Sequence, residues 1–261
     1  MDVLSDKTRI PMERKEAMLM QIREKRFCSI EELIQKFAVS KVTVHRMLND
    51  LENDRLVVKV RGGVRFQEAA GVETKFSIRM KNNNEQKLEI AQKALALIED
   101  GDSIFLESSS TCMYLATQIG RNKFSDLTVI TNGPAIGDEL SNCPGIHVIM
   151  TGGEYHAELN ALGGLLTLYA IEKLQFKKVF LSALAISPKG IMTSISLLLD
   201  IKRKLMEGDR EFNLLIDSSK FSGIAPHMIM PVTQLKRIIT DHRLCPELVK
   251  TYQDLGVEVL I

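Results

Sequence analysis

No stretch of the 261 residues reaches about 18 consecutive apolar residues, so no membrane-spanning helix is expected. The opening residues, MDVLSDKTRIPMERK, lack the apolar centre of a secretion signal, which points to an intracellular, cytoplasmic protein. Cysteine is scarce: Cys28, Cys112, Cys143 and Cys245 lie far apart and never approach a CxxC spacing. That argues against a disulfide scaffold or a zinc site. His156, His227 and His242 have no metal-ligand spacing with one another, and His147 sits inside an apolar strand pattern that suits a structural side chain. The Gly163-Gly164 pair is too sparse for a dinucleotide fingerprint and follows no predicted strand. No Ser/His/Asp or Cys/His set can be assembled from spacing, so no catalytic or metal-binding residue is assigned and no enzyme is expected. Cys112 opens a predicted helix beside a polar loop, where a thiol pKa can fall. A small packed side chain is the plainer reading.

Net charge is also small, at +1, but it is unevenly spread. Residues 1–66 hold 14 Lys/Arg against 10 Asp/Glu, and the remainder holds 20 against 23. The sign suits a nucleic-acid-binding head on a neutral-to-acidic body, although charge alone does not establish it. With 45% hydrophobic residues there is ample apolar surface for a core.

The head carries local signals. A helical pattern runs from about Met12 to Arg26, with Ala17, Met18 and Ile22 as its apolar stripe, and breaks at Phe27-Cys28. Ser29-Ile30-Glu31-Glu32 fits a capping box that starts a short helix through Phe37. Ala38-Val39 makes a turn and Ser40 can cap a third helix. There Val44, Met47, Leu48 and Leu51 form the core-facing stripe, leaving Lys41, Thr43, His45, Arg46 and Asn49 for the other faces. Two short helices joined by a tight turn, with donors near the start of the second, make a helix-turn-helix whose second helix fits the major groove. VVKVRGGVRF, residues 57–66, then reads as a hairpin turning on Gly62-Gly63, a wing whose Lys59, Arg61 and Arg65 face phosphate.

This head resembles that of the DeoR family of bacterial transcriptional repressors. The family pattern V-S-x-x-T-[IV]-R-R-D-L-x-x-L-E, followed by a Gly-Gly hairpin, is met by Val39-Ser40, Thr43-Val44, Arg46, Leu48, Leu51-Glu52 and Arg61-Gly62-Gly63. His45 stands where the family has Arg, and Met47 where it has Asp. The expected DNA-binding residues are Ser40, Lys41, Thr43, His45, Arg46, Lys59 and Arg61.

Residues 67–85 read as a linker ending in a short apolar docking stretch, Phe76 to Arg79, and an exposed Asn82-Asn83-Asn84 turn. From residue 86 to 261, helical periods alternate with strands at Ser103–Leu106, Leu127–Thr131, Ile146–Met150, Val179–Ala183, Phe212–Asp217 and Arg237–Asp241. The expected fold is therefore α/β: a winged helix-turn-helix domain (1–66), then a mostly parallel sheet covered on both faces. Five post-strand loops bring polar groups to one sheet edge: Glu107-Ser108-Ser109-Ser110-Thr111, Thr131-Asn132-Gly133, Thr151-Gly152-Gly153, Ser182-Ala183 and Asp217-Ser218-Ser219-Lys220. The first leads into a helix N-terminus suited to a phosphate. Turn-forming residues account for any one such loop; five at one edge favour a polar ligand pocket.

The DeoR resemblance extends through this body, which in that family is similar to ribose-5-phosphate isomerase and senses a phosphorylated sugar. The family loops D-S-G-T-T-T, T-N-S, T-G-G, G-A-S-G and D-x-S-K-F correspond to the five loops above, with Glu107 for Asp, Ser109 for Gly, and Ser182–Ala185 lacking both glycines. Leu198 replaces a carboxylate ahead of the retained Lys202-Arg203. Glu107, Ser108, Ser110, Thr111, Thr131, Asn132, Gly152, Gly153, Lys202, Asp217 and Lys220 are the expected effector-binding residues. The resemblance implies a DNA-binding repressor of carbohydrate-metabolism genes, released from its operator by a phosphorylated sugar as allosteric effector, with no cofactor. It would work as a homo-oligomer, a dimer or tetramer whose interface lies in the body. Two alternatives stand beside it. One is an isomerase-like enzyme with a fused DNA-binding head, using Glu107 or Asp217 as base and Lys220 as electrophile. The other is a regulator with a vestigial pocket that answers to a protein partner.

Overall fold

The computed structural model describes residues 11–53, 56–66, 74–221 and 223–261. The chain divides into two compact units, Met1–Ala70 and Gly71–Ile261.

In the first unit, helix α1 (Pro11–Lys25) leads to strand β1 (Phe27–Ser29), helices α2 (Ile30–Phe37) and α3 (Lys41–Asn53), and strands β2 (Val57–Val60) and β3 (Gly63–Phe66). The capping box forms: the Ser29 side chain accepts from the Glu32 N–H, and the Glu32 carboxylate accepts from the Ser29 N–H. Ala38 ends α2 in the left-handed region at φ 49°. Met18, Ile22, Leu33, Phe37, Val44, Met47, Leu48 and Leu51 close a common core, so Met47 serves as apolar packing. The wing has three strands in the order β1-β3-β2, all antiparallel. Phe27-Cys28, read from sequence as a simple break, is its third strand. Both hairpin glycines have a physical reason. Gly62 turns at φ +85°, and a Cβ on Gly63 would lie 2.4 Å from the Cys28 carbonyl oxygen.

The second unit opens with α4 (Phe76–Lys81) and α5 (Asn84–Leu95), followed by β4 (Ser103–Leu106), α6 (Ser110–Arg121), β5 (Leu127–Thr131), α7 (Pro134–Leu140) and β6 (Ile146–Met150). A small hairpin, β7 (Glu154–His156) and β8 (Ala161–Gly163), precedes α8 (Leu165–Lys173) and β9 (Lys178–Leu181). Next come β10 (Ala185–Ser187), β11 (Gly190–Thr193), α9 (Ser196–Leu205), β12 (Glu211–Leu215), β13 (His227–Met230), β14 (Leu235–Ile239), α10 (Pro246–Asp254) and β15 (Glu258–Leu260). Seven strands form one parallel sheet in the order β15-β14-β12-β9-β4-β5-β6. Alternation along β4 shows both faces covered. Ile104 and Leu106 join a core with α5, α6 and α7, whereas Phe105 joins a second with α8, α9 and α10. Among the described residues no helix is long and apolar enough to cross a membrane.

Two expectations are corrected here. Residues 76–85, read as the end of a linker, build α4 and the start of α5 within the second unit. There the Phe76 N–H donates to the Glu158 carbonyl at 2.7 Å, and the Asn83 amide donates to Asp217 at 2.9 Å. In addition, β10, β11 and β13 form a separate antiparallel sheet where no strands were expected.

Candidate functional site

In the first unit the buried stripe of α3 turns Lys41, His45, Arg46 and Asn49 outward. Ser40 is committed to the fold: its hydroxyl accepts from the Thr43 N–H at 3.2 Å and meets the Thr43 hydroxyl at 2.9 Å. Lys59, expected on the phosphate-facing side, is redirected. Its ammonium donates to Glu52 at 2.7 Å and to the Asn49 side chain, tying β2 to α3. The hydrogen bonds from Lys59 hold the Glu52 carboxyl below its ordinary value. Arg61, at the tip of the turn, and Arg65 stay exposed. One residue was missed. Val42 is 78% exposed on a helix whose other apolar side chains are buried. Its position off the 44/47/48/51 stripe was the available signal, and an exposed valine there suits the methyl group of a thymine.

In the second unit the strands end on a small, partly open cleft. It is lined by Arg79, Glu107, Ser108, Ser109, Ser110, Ser182, Ala183, Leu198, Lys202 and Lys220. Glu107 follows β4 and Lys202 projects from α9. They form an ion pair at 3.0 Å with side chains only 2% and 3% exposed. The other Glu107 oxygen accepts from the Ser182 N–H at 3.1 Å. Ser109 caps α6, its hydroxyl accepting from the Cys112 N–H at 3.1 Å, so the first turn of a 12-residue helix opens beside Ser108 and Ser110. Lys220 reaches in from the far side and donates to the Ala183 carbonyl at 2.9 Å. The Ser182 hydroxyl is buried and has no hydrogen-bond partner within the protein. Three cations and one carboxylate thus converge on serine hydroxyls and a helix N-terminus, which suits an anion bearing hydroxyl groups.

The structure gathers Glu107, Ser108, Ser110, Lys202 and Lys220 on this cleft and places the other expected residues behind or beside it. Thr131 is fully buried. Its hydroxyl donates to the Leu106 carbonyl at 2.7 Å and accepts from the Gly133 N–H at 2.9 Å. Asn132 staples two loops, accepting from the Ser108 N–H at 3.0 Å and donating to the Leu162 carbonyl at 3.2 Å. Gly152 accepts at its carbonyl from the Thr167 hydroxyl, 2.6 Å away, and Gly153 packs against Gly163. Thr111 is 1% exposed, and its hydroxyl is without a hydrogen-bond partner. Asp217 braces α5 through Asn83 and accepts from Ser219. Burial opposes its ionisation, but the Lys220 charge, the Ser219 hydrogen bonds and the Lys87 charge outweigh that, and its pKa lies below the ordinary value. The polar groups of Thr131, Asn132, Gly152 and Asp217 brace loops, whereas the Thr111 hydroxyl makes no such bond.

Arg79 is the cleft residue that sequence reasoning missed. Its guanidinium lines the cleft while donating to the carbonyls of Thr74 at 3.1 Å and Leu159 at 3.3 Å. Cys112 is fully buried, its thiol 3.4 Å from the Phe180 carbonyl, and burial with the nearby Glu107 charge pushes it up to about 12. That is packing, not a reactive thiol. Among the described residues no group of three or more His, Cys, Asp or Glu side chains is placed to hold a metal ion.

Comparison with known proteins matches residues 14–70 to the DeoR-like helix-turn-helix domain and residues 82–242 to the DeoR C-terminal sensor domain. The HTH-type transcriptional regulator GolR of Listeria innocua is 30% identical over 252 residues, 96% of this chain and 98% of that protein. The lactose phosphotransferase system repressor of Lactococcus lactis is 30% identical over 220 residues, 84% of this chain and 86% of the repressor. Among solved structures, ribose-5-phosphate isomerase A of Methanocaldococcus jannaschii aligns at 16% identity and a TM-score of 0.39. It covers 54% of this chain and 55% of that one, too distant to inform the chemistry of the cleft.

Proposed function

Because the chain belongs to the DeoR family of helix-turn-helix regulators, we propose that it is a DNA-binding repressor of carbohydrate-metabolism genes, released from its operator by a phosphorylated sugar. The observation that carries the effector half is the cleft at the carboxyl edge of the parallel sheet. There Lys220, Lys202 and Arg79 surround the first turn of α6 and the unpartnered Ser182 hydroxyl. The phosphate sits at the α6 N-terminus opposite Lys220, and the sugar hydroxyls reach Ser182 and Glu107. We read the cleft as a sensor and not an active site. Glu107 is held by Lys202, Asp217 is buried in structural hydrogen bonds, and Lys220 has no free carboxylate beside it to act as a base.

The test is a DNA-release titration with a panel of sugar phosphates, run on the wild-type chain and on Lys220→Ala. Removing a charge-assisted contact worth about 1.5–3 kcal/mol should weaken the effector roughly ten- to hundredfold while leaving operator affinity intact. Release of Lys220→Ala at wild-type effector concentrations would place the ligand elsewhere. If no sugar phosphate binds the wild-type chain at millimolar concentration, the sensor reading fails in favour of a pocket controlled by a protein partner.

In the head, Arg61 is assigned to the phosphate backbone and Lys59 is not. Arg61→Ala is therefore expected to reduce the salt slope of DNA binding by about one unit with little change in sequence preference. Lys59→Ala should instead act through the α3–β2 contact and appear as a loss of stability. An unchanged slope for Arg61→Ala would put the turn off the DNA.

A further inference from the structure

Helix α8 presents Leu165 and Leu166 to solvent at 85% and 67% exposure, and Tyr169, one turn later, at 62%. Side chains at i and i+4 share a helix face, so these residues form one apolar patch, with half-buried Leu168 beside it. Single exposed apolar residues are ordinary on a protein surface, whereas a contiguous group marks a surface that another body covers.

The patch borders a shallow groove between α8 and α9 whose charges have both signs. Glu172 is already neutralised by Lys173 and Lys204, each at 2.9 Å, and Lys204 also meets Glu207 at 2.7 Å. Asp200 and Arg203 take part in none of these pairs. They stand exposed one turn apart on the outer side of α9, leaving one charge of each sign available.

We propose that this face is where two copies of the chain associate. A two-fold interface sets a patch against itself, so its charges must complement their own copies. A surface with a surplus of one sign would repel itself. This one, with an acid and a base left over beside an apolar centre, matches itself. Across the two-fold, Asp200 of each copy faces Arg203 of the other, while Leu165, Leu166 and Tyr169 of both form the dry centre. The face lies outside the cleft, and the pairing needs no particular ligand there.

Sedimentation velocity on the full-length chain, from nanomolar to high micromolar concentration, tests it. The wild-type chain should reach twice its 29.3 kDa mass. Leu165→Glu combined with Tyr169→Glu, both at exposed positions, should sediment as a monomer with an unchanged far-UV circular dichroism spectrum. Asp200→Arg or Arg203→Asp alone should weaken association about tenfold, and the two together should restore it. A wild-type chain that stays monomeric, a dimer that survives the double glutamate change, or a charge swap that fails to restore pairing would each overturn the proposal.

Discussion

Lys202→Met is expected to lower the stability of the second unit by about 3–5 kcal/mol, because it leaves the Glu107 carboxylate buried without its counter-charge. The pair is 3.0 Å apart with both side chains at or below 3% exposure, so water cannot take over the role of the lost ammonium. Methionine keeps most of the length and volume of lysine, so the loss is ionic and not a cavity. The Ser182 N–H still donates to Glu107, but one peptide dipole does not replace a full charge. Adding Glu107→Gln to Lys202→Met should recover most of the loss, since removing both charges of a buried pair is often near neutral. Urea denaturation followed by circular dichroism measures both; the chain has no tryptophan to report by fluorescence. A double variant as unstable as the single one would show that packing, not charge, sets the penalty.

Arg46→Ala should cost about 1–3 kcal/mol of operator affinity if the guanidinium reads a base with both of its arms. Arg46 is exposed on the face of α3 opposite Val44, Met47, Leu48 and Leu51, beside Val42 and His45, so its removal leaves the core of the head untouched. Binding to operator and to random duplex, measured at one salt concentration, separates the two roles open to an arginine. A loss confined to operator identifies base reading. Equal losses on both duplexes would reduce Arg46 to a phosphate contact and shift base reading toward Val42 and His45.

What could be read from the sequence was local. The Ser29–Glu32 capping box, the Gly62-Gly63 turn and the strands Ser103–Leu106, Leu127–Thr131 and Ile146–Met150 each carry their signal within a few residues. Where the elements are only three residues long, as in β1, β7, β8, β10 and β15, no period can establish itself, and no strand was expected there. The cleft was half legible for a related reason. Residue type marked Glu107, Ser108, Ser110 and Lys220, because hydroxyls and charges after parallel strands converge on one edge, and the family resemblance added Lys202. It could not separate them from Thr131, Asn132 and Asp217, whose polar atoms are used up in bracing the loops. Arg79 and Asn83 looked like linker residues because their partners Leu159 and Asp217 lie 80 and 134 positions away. Lys59 looked like a wing contact because nothing local announces its bond to Glu52.

Helix α9 has a cleft side, Leu198 and Lys202, and an outer side, Asp200 and Arg203. A stiff ten-residue rod cannot shift on one side alone. Whatever repositions it from inside the cleft also re-aims the outer charges, and reciprocity makes the effect two-way. The factor by which an anion changes self-association is the factor by which self-association changes affinity for that anion. On the proposed pairing, a binding isotherm for the cleft would slide along its axis as total protein concentration is raised, and a dissociation constant measured there would need that concentration stated with it.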